Sequence, residues 1–226
     1  MDGKEKAGIW AASQVDSGMT VGLGTGSTAA HFTRHLAQRI RQENLKIHLV
    51  SSSLAATLLA EELGLSLVPL EQIESLDLYA DGADEVDGQK RLLKGRGAAM
   101  LREKILARMA NRFLVLIDPA KKVERLGARF PIPVEVLPCA RGLVAKELRV
   151  LGASTELRTG TGKDGPIITD QGNLVLDARF APGTDVAGMD GVLDSIPGVM
   201  GHGLFTGFAE RITVVVGGEA GVETAG

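Results

Sequence analysis

Apolar runs alternate with amphipathic segments up to about residue 120 of the chain. Short apolar runs predict buried strands, and apolar residues that recur every three or four positions predict helices. The predicted strands are 19–23, 47–50, 65–68, 76–80 and 113–117, and the predicted helices are 28–40, 54–63 and 98–110. Strands and helices that follow one another in this way favour a mostly parallel α/β sheet covered by helices.

The pattern changes after Phe130. The predicted elements are an extended stretch interrupted by prolines, a helix at 141–151, strands at 167–169 and 173–178 around a Gly-containing turn, and a helix at 186–196. This order, strand, helix, two strands and helix, is typical of a small α+β subdomain of the ferredoxin-like kind. We expect this subdomain to comprise residues 131–205.

The C-terminal segment adds one more strand pattern. The β-branched run 212–216 is predicted to return to the first sheet as a further strand. The larger domain is therefore expected to comprise residues 1–130 together with 206–226. The end of the chain, 217–226, is polar and rich in glycine, which predicts a mobile tail.

Composition and charge narrow the function classes. The 226 residues carry a net charge of −3, so nothing in the bulk charge favours nucleic acid or an anionic membrane as a partner. No apolar run approaches the roughly 18 residues of a membrane span, and the N-terminus has no apolar signal core. The single cysteine, Cys139, allows no intramolecular disulfide and no cysteine-based zinc site. We expect a cytoplasmic protein.

The segment 81–104 concentrates the candidate chemistry. Asp81 and Asp84 lie in a Gly-containing turn after a predicted strand, Lys94 opens a Lys-Gly-Arg-Gly loop, and Glu103 lies on the following helix. A proton transfer next to a carbonyl needs one group that takes the proton and others that hold the resulting negative oxygen. Carboxylates, a cation and free backbone N–H groups together indicate that kind of chemistry.

Two further strand ends carry polar residues. The first strand ends in Gly24-Thr25-Gly26-Ser27, which is typical of an anion-binding turn at a helix N-terminus, although a plain tight turn with a capped helix would look the same. Ser27 stands where the third glycine of a dinucleotide fingerprint belongs, and no P-loop lysine follows Gly26. The serines at 51–53 could face a ligand, or Ser53 alone could cap the next helix.

Several charged residues also have ordinary interpretations. Glu103 could lie on a solvated helix face with its charged neighbours, and Lys121 could be a plain surface lysine. Glu85 and Asp87 are expected to be surface charges. His31 and His35 have the spacing of metal ligands on a helix, but no third ligand is evident, so no metal site is predicted.

Taken together, these motifs closely resemble ribose-5-phosphate isomerase of the A type. The stretches that carry the resemblance, in order, are GLGTGSTAAHF, SSS, DGADEVD, KGRGAAMLREKI and DPAKK. Later stretches, PIPVEVLP and TDQGNLVLD, fit the same family. The resemblance implies interconversion of D-ribose 5-phosphate and D-ribulose 5-phosphate, in the pentose phosphate pathway, without a metal or organic cofactor. It also implies a Rossmann-like domain with helices on both faces of its sheet, a smaller α+β domain, and a homodimer or homotetramer.

The resemblance assigns site residues by position. The substrate-binding positions are Thr25, Gly26, Ser27 and Thr28, then Asp81, Gly82, Ala83 and Asp84, then Lys94, Gly95, Arg96 and Gly97, and finally Lys121. The general base falls on Glu103. Lys94 and the loop N–H groups are expected to stabilise the enediolate, Asp81 to open the sugar ring and Asp84 to orient hydroxyls.

The chain departs from the family at Arg96, where glycine is common. If this position requires a positive φ, arginine costs on the order of 1 kcal/mol there. We expect its side chain to point to solvent. Two other classes are alternatives, a sugar-phosphate sensing domain and an acyl-CoA transferase. A sensor of that kind needs a DNA-binding module, for which the residues before the first strand leave no room, and transferase chains are usually larger.

Overall fold

A computed structural model describes residues 2–162 and 164–226 of the chain. The α-helices are α1 Gly3–Ala12, α2 Ser27–Glu43, α3 Leu54–Glu62, α4 Met100–Met109, α5 Arg141–Val150 and α6 Asp190–Asp194. The strands are β1 Thr20–Leu23, β2 His48–Ser51, β3 Leu76–Gly82, β4 Glu85–Val86, β5 Leu92–Leu93, β6 Ala110–Ile117, β7 Ile132–Val136, β8 Ser154–Leu157, β9 Leu174–Arg179, β10 Val199–His202, β11 Leu204–Phe205, β12 Ile212–Gly218 and β13 Gly221–Ala225.

The chain divides into two compact units. The first contains the chain up to Ala83 together with Ile105–Lys121 and Phe208–Gly226. The second contains Asp84–Lys104 and Lys122–Gly207. The expected boundary at residue 130 would place 84–104 and 122–130 with the first unit. The structure groups them with the second, because β4 and β5 form a three-stranded antiparallel sheet with β11.

The first unit is built on a six-stranded sheet in the order β13-β12-β6-β3-β1-β2. All neighbouring pairs from β12 to β2 are parallel, and β13 pairs antiparallel with β12. The chain moves outward from β1 to β2 and then returns to the opposite side of β1 at β3. The strand order therefore reverses at β1, which is the position where open α/β sheets bind their ligands.

Helices cover both faces of this sheet. Val21 and Leu23 of β1 share a buried cluster with Ala7 of α1 and Phe32 of α2. The intervening Gly22 faces the other way, because successive residues of a strand alternate between faces. A Cβ on Gly22 would lie 3.2 Å from the Leu106 side chain of α4, so α4 packs on the opposite face. The expected α/β class is confirmed.

The second unit contains a four-stranded antiparallel sheet in the order β10-β7-β9-β8. The chain order β7-α5-β8-β9-α6-β10 with this strand order is the ferredoxin-like arrangement, as predicted. Its core joins aliphatic residues of the sheet to those of α5 and α6, among them Val134, Leu148, Leu176 and Leu193.

Some predicted elements are wrong or shorter than expected. Residues 65–68 do not form a strand, since the only backbone bond they give to β2 is the Val68 N–H to the Leu49 carbonyl, at 2.8 Å. Residues 167–169 form an isolated bridge at Ile168 in place of a strand. The helix predicted at 186–196 is a 3₁₀ turn, Ala187–Met189, followed by the short α6.

The predicted mobile tail forms the edge strand β13. Its register with β12 pairs Val214 with Ala225 and Gly218 with Gly221. The Lys6 ammonium of α1 donates to the carbonyls of Gly218 and Glu219, at 3.2 and 2.7 Å, and so ties the turn between the two strands to the first helix. Polar composition alone indicated mobility, whereas backbone pairing orders this segment.

Glu85 was expected on the surface but is fully buried. Its carboxylate accepts hydrogen bonds from the N–H groups of Gly127, Arg129 and Phe130, at 2.7, 2.7 and 3.0 Å. Asp87, also expected on the surface, is buried beside Arg91, with Oδ2 2.6 Å from the guanidinium. Both carboxylates are structural groups of the second unit. Among the described residues, no helix combines the length and apolar character that crossing a membrane requires.

Candidate active site

The carboxyl ends of the parallel strands bring several predicted site residues to one edge of the first unit's sheet. The turn of Thr25 to Thr28 follows β1, and the serines at 51–53 lie at the end of β2. Asp81 lies at the end of β3, and Lys121 lies in a 3₁₀ turn, Pro119–Lys121, after β6. Because the strand order reverses at β1, which pairs with β3, Asp81 and the turn after β1 lie where a ligand is expected.

Asp81 is completely buried and held by several donors. Its Oδ1 accepts from the backbone N–H groups of Thr25 and Gly82, at 2.9 and 2.7 Å. The Tyr79 hydroxyl donates to Oδ2, and its ring stacks on Phe113 with centroids 4.7 Å apart. These contacts fix the direction of the carboxylate and tie the turn after β1 to the end of β3.

Two glycines make this turn possible. A Cβ on Gly24 would lie 2.5 Å from both the Asp81 carboxyl carbon and the Ala80 carbonyl oxygen, far inside contact distance. Gly26 is the N-cap of α2 with φ 98°, a conformation that favours glycine. The first turn of α2 therefore presents Ser27, Thr28 and its backbone N–H groups at the N-terminus of a helix, where anions bind favourably.

The serines stabilise the next helix and the turn after β1. Ser53 caps α3, with Oγ accepting from the Ala56 N–H at 3.1 Å. Ser52 and Ser53 also hold the Thr25 hydroxyl, at 2.7 and 2.8 Å. Lys4, in the first turn of α1, places its ammonium 3.2 Å from the Ser27 hydroxyl. No local motif marks Lys4, because its position depends on how α1 packs on α2.

The second unit contains a buried lysine–glutamate pair. The Lys94 ammonium lies 3.4 Å from Glu103 Oε2, and the two side chains are only 3% and 5% exposed. Glu103 lies in the first turn of α4, where its N–H donates to the Ala99 carbonyl at 3.0 Å. The alternative interpretation of Glu103 as a solvated helix residue is wrong, since the side chain is buried beside a cation.

The loop that joins Lys94 to α4 has two left-handed residues. Gly95 has φ 102° and Ala98 has φ 57°, whereas Arg96 is not among the described residues with positive φ. The strain that the sequence suggested for Arg96 is therefore absent at that position. Its exposed guanidinium lies 4.6 Å above the Phe130 ring, and its N–H donates to Asp84 Oδ2 at 3.1 Å.

A second polar cluster lies next to the lysine–glutamate pair in the second unit. It comprises Lys104, His202, Asp190 and Asp194. His202 Nε2 lies 2.9 Å from Asp194 Oδ1 and 3.2 Å from Asp190 Oδ1, while the Leu204 N–H donates to Nδ1 at 3.3 Å. These contacts assign the proton of a neutral His202 to Nε2. The cluster packs over Phe205, whose ring centroid is 5.3 Å from the Lys104 ammonium.

Asp190, Asp194 and His202 could converge on a cation, since their ligand atoms lie within 4.8 Å of one another. The Lys104 ammonium already lies 3.2 Å from His202 Nε2 and 3.5 Å from Asp190 Oδ1, and so supplies the positive charge there. We therefore interpret this cluster as an ion-pair network. His35, of the suggested metal pair His31 and His35, instead faces Glu5, at 3.8 Å.

Burial perturbs the two bases of this cluster. It lowers the pKa of Lys104, and the carboxylates of Asp190 and Asp194 oppose that change. Burial and the nearby Lys104 ammonium lower the pKa of His202, again against the two carboxylates. Both shifts arise because a charged group loses hydration in this part of the second unit.

The second unit therefore places a buried carboxylate and a lysine beside a loop with backbone N–H donors. This arrangement is typical of enzymes that move protons next to a carbonyl. The sequence model of ribose 5-phosphate isomerase A (phosphoriboisomerase A) matches residues 48–221. Ribose-5-phosphate isomerase A of Thermosynechococcus vestitus is 50% identical over 90% of this chain and 87% of its own length. That of Thermococcus kodakarensis is 44% identical over 88% of each chain.

Solved structures agree with the sequence relatives. Ribose 5-phosphate isomerase A of Methanocaldococcus jannaschii superposes with a TM-score of 0.92 at 41% identity, over 98% of this chain and 97% of its own. A D-ribose-5-phosphate isomerase in complex with phospho-erythronic acid gives 0.91 at 40% identity, over 98% and 96%. This chain belongs to the ribose 5-phosphate isomerase A family.

Proposed function

We propose that the chain interconverts D-ribose 5-phosphate and D-ribulose 5-phosphate, with Glu103 as the group that moves the proton. Family membership supports the reaction, and the observation that carries the assignment of the base is the buried Lys94–Glu103 pair. A carboxylate excluded from bulk water and held beside a cation keeps a fixed position, which proton transfer to and from carbon requires.

The reaction moves one proton between neighbouring carbons. In the open-chain aldose, the Glu103 carboxylate takes the proton from C2, and the C–H electrons form the C1–C2 double bond while O1 becomes negative. The enediolate then collapses to the C2 ketone. The O2 hydroxyl proton passes to O1, O2 becomes the carbonyl oxygen, and the electrons of the C1–C2 double bond take the proton back from Glu103 onto C1. Lys94 and the N–H groups of Gly95 and Gly97 stabilise the negative oxygen between these steps, while the Arg96 N–H donates to Asp84.

The remaining residues bind and prepare the sugar. We assign the phosphate to the turn of Thr25, Gly26, Ser27 and Thr28, because a helix N-terminus with hydroxyls and the nearby Lys4 ammonium suits an anion. Lys121 is assigned a further binding contact. Asp81 is assigned to opening of the furanose ring, and Asp84, with its neighbours Gly82 and Ala83, to orienting hydroxyls.

Three finer properties rest on the family resemblance. These are turnover without a metal or organic cofactor, a homodimer or homotetramer, and a cytoplasmic location in the pentose phosphate pathway. Turnover in excess EDTA after gel filtration tests the first, light scattering of the purified protein tests the second, and fractionation of source cells tests the third.

The experiment that tests the function measures conversion of ribose 5-phosphate by the wild type, Glu103→Gln and Glu61→Gln in EDTA. Glu61 is an exposed residue of α3 and serves as the matched control. We expect Glu103→Gln to lose roughly 10²–10⁴ in kcat, the usual scale for a general base. Wild-type protein without turnover would refute the function, and a Glu103→Gln variant as active as the control would refute the base.

A further inference from the structure

The loop that carries the enediolate-stabilising N–H groups has an unfavourable backbone. Ala98 holds a left-handed conformation that costs a non-glycine residue roughly 1 kcal/mol, and Gly95 is left-handed as well. A Cβ on Gly95 would lie 3.0–3.1 Å from Met100 and Pro133, so the loop is also closely packed. Conformations of this kind persist only where surrounding contacts determine them.

Arg158 provides those contacts from a distant part of the sequence. Its Nη1 donates to the carbonyl oxygens of Gly95 and Arg96, at 2.7 and 3.1 Å. The Nε and Nη2 edge of the same guanidinium donates to the Asp177 carboxylate, at 2.9 and 2.5 Å, and this pair fixes the arginine side chain. The guanidinium side chain is only 15% exposed, so its four hydrogen bonds form largely away from water.

These bonds determine where the loop N–H groups point. A peptide group is planar and trans, so its N–H points opposite to its carbonyl. In the peptide between Gly95 and Arg96, Arg158 holds the oxygen and Asp84 accepts from the N–H, at 3.1 Å. In the next peptide, Arg158 holds the Arg96 oxygen, which directs the Gly97 N–H away from the guanidinium. Within the described residues, that N–H has no hydrogen-bond acceptor.

We propose that Arg158, fixed by Asp177, is a positioning residue that aims the Lys94–Gly97 loop at the oxygen of the enediolate. This inference rests on the proposed function. The hydrogen bonds of the arginine to the loop go to its carbonyl oxygens, so it acts through the peptide groups. Its positive charge behind those carbonyls also polarises the peptides and strengthens the N–H groups on the other side as donors.

The chain contains a matched control for this arrangement. Arg39 donates through Nε and Nη2 to the Glu43 carboxylate, at 2.7 and 2.6 Å. Its Nη1 donates to the carbonyls of Ala12 and Val15, at 2.5 and 2.9 Å. The same set of bonds therefore holds the end of α1 in the first unit, and none of these four residues is assigned to catalysis or to substrate binding.

The experiment compares the wild type, Arg158→Gln, Arg158→Lys, Asp177→Asn and Arg39→Gln well below their melting temperatures. Readouts are kcat, KM, Tm and inhibition by phospho-erythronic acid, whose carboxylate offers a planar negative charge like that of the enediolate. We expect Arg158→Gln to lower kcat by roughly 10- to 100-fold with little change in KM, since a misplacement of about 1 Å can cost that much. Inhibition should weaken in parallel.

The other variants separate positioning from stability. Arg158→Lys and Asp177→Asn should lie between wild type and Arg158→Gln, and Arg39→Gln should lower Tm while leaving kcat unchanged. Equal kcat in Arg158→Gln and wild type would overturn the inference, and so would an equal loss in Arg39→Gln. Absence of turnover by the wild type would instead overturn the proposed function, so the two failures are distinguishable.

Discussion

At position 24, the absence of a side chain leaves room for the Asp81 carboxylate. Asp81 is buried under the turn after β1 and accepts from its backbone, so the turn and the carboxylate must approach within hydrogen-bond distance. Any Cβ on Gly24 would occupy that space. Backbone conformation also explains why an arginine fits at position 96. The left-handed conformations of this loop fall on Gly95 and Ala98, so Arg96 does not need a positive φ.

Gly24→Ala should therefore damage both the fold and the site. The added methyl group forces the Asp81 carboxylate or the turn to move, and overpacking of this kind costs roughly 1–3 kcal/mol. We expect a lower Tm and a fall in kcat/KM of at least about 10-fold, since small misplacements at a site are costly. Gly142→Ala in α5, where the added Cβ meets open space, should be slightly stabilising and fully active. Equal behaviour of the two variants would contradict this account.

Candidate residues close together in sequence could be predicted, and their distant partners could not. Asp81, Lys94 and Glu103 stand out because glycines, a predicted strand and a predicted helix surround them within one short segment. Arg158 lies 63 residues from Gly95, with no local pattern that distinguishes it from a surface arginine. Only the pairing of β8 with β9 brings it near Asp177.

At the scale of elements, strands and helices with clear apolar patterns were predictable, and those formed by packing were not. α1 escaped prediction because Gly3 and Gly8 are poor helix formers. Both glycines are required by contacts, since a Cβ on Gly8 would lie 2.7 Å from the backbone of α2 and one on Gly3 would strike Gly217. β13 could not be predicted from its own sequence for the same reason, since its pairing with β12 orders it.

Ser53 both caps α3 and bonds to the Thr25 hydroxyl of the proposed phosphate-binding turn. Ser53→Ala removes the cap and one partner of the Thr25 hydroxyl together. We expect a loss of about 1 kcal/mol in the free energy of unfolding, the usual cost of a lost N-cap, and a higher KM for ribose 5-phosphate. Denaturant unfolding and steady-state kinetics check both, with Ser66→Ala, at an exposed position between α3 and β3, as the control. Unchanged stability and KM would show that the cap is dispensable.

At the scale of the whole molecule, stability should depend on pH through His202. Burial and Lys104 lower its pKa below the usual 6.5, although Asp190 and Asp194 oppose this. Below pH 6.5 the unfolded chain therefore binds more protons than the folded protein, and the free energy of unfolding decreases as the pH falls. Well above pH 6.5 the imidazole is neutral in both states, and His202 no longer contributes to the pH dependence.

Urea unfolding at pH 5.5, 6.5 and 7.5 tests this dependence. The wild type should lose more stability between pH 6.5 and 5.5 than His202→Gln, because the variant has no imidazole to protonate. His48→Gln, at an exposed position, should follow the wild type. Parallel curves for the wild type and His202→Gln would show that the buried imidazole does not cause the acid sensitivity.

The central claim, that Glu103 moves the proton between C2 and C1, is tested most directly by isotope exchange. Ribose 5-phosphate is incubated with enzyme in D₂O, and loss of the C2 proton is followed by NMR together with ketose formation. The wild type should exchange the proton during turnover, whereas Glu103→Gln should lose exchange and turnover together by roughly 10²–10⁴. Exchange at the wild-type rate by a folded Glu103→Gln protein would mean that another group removes the proton.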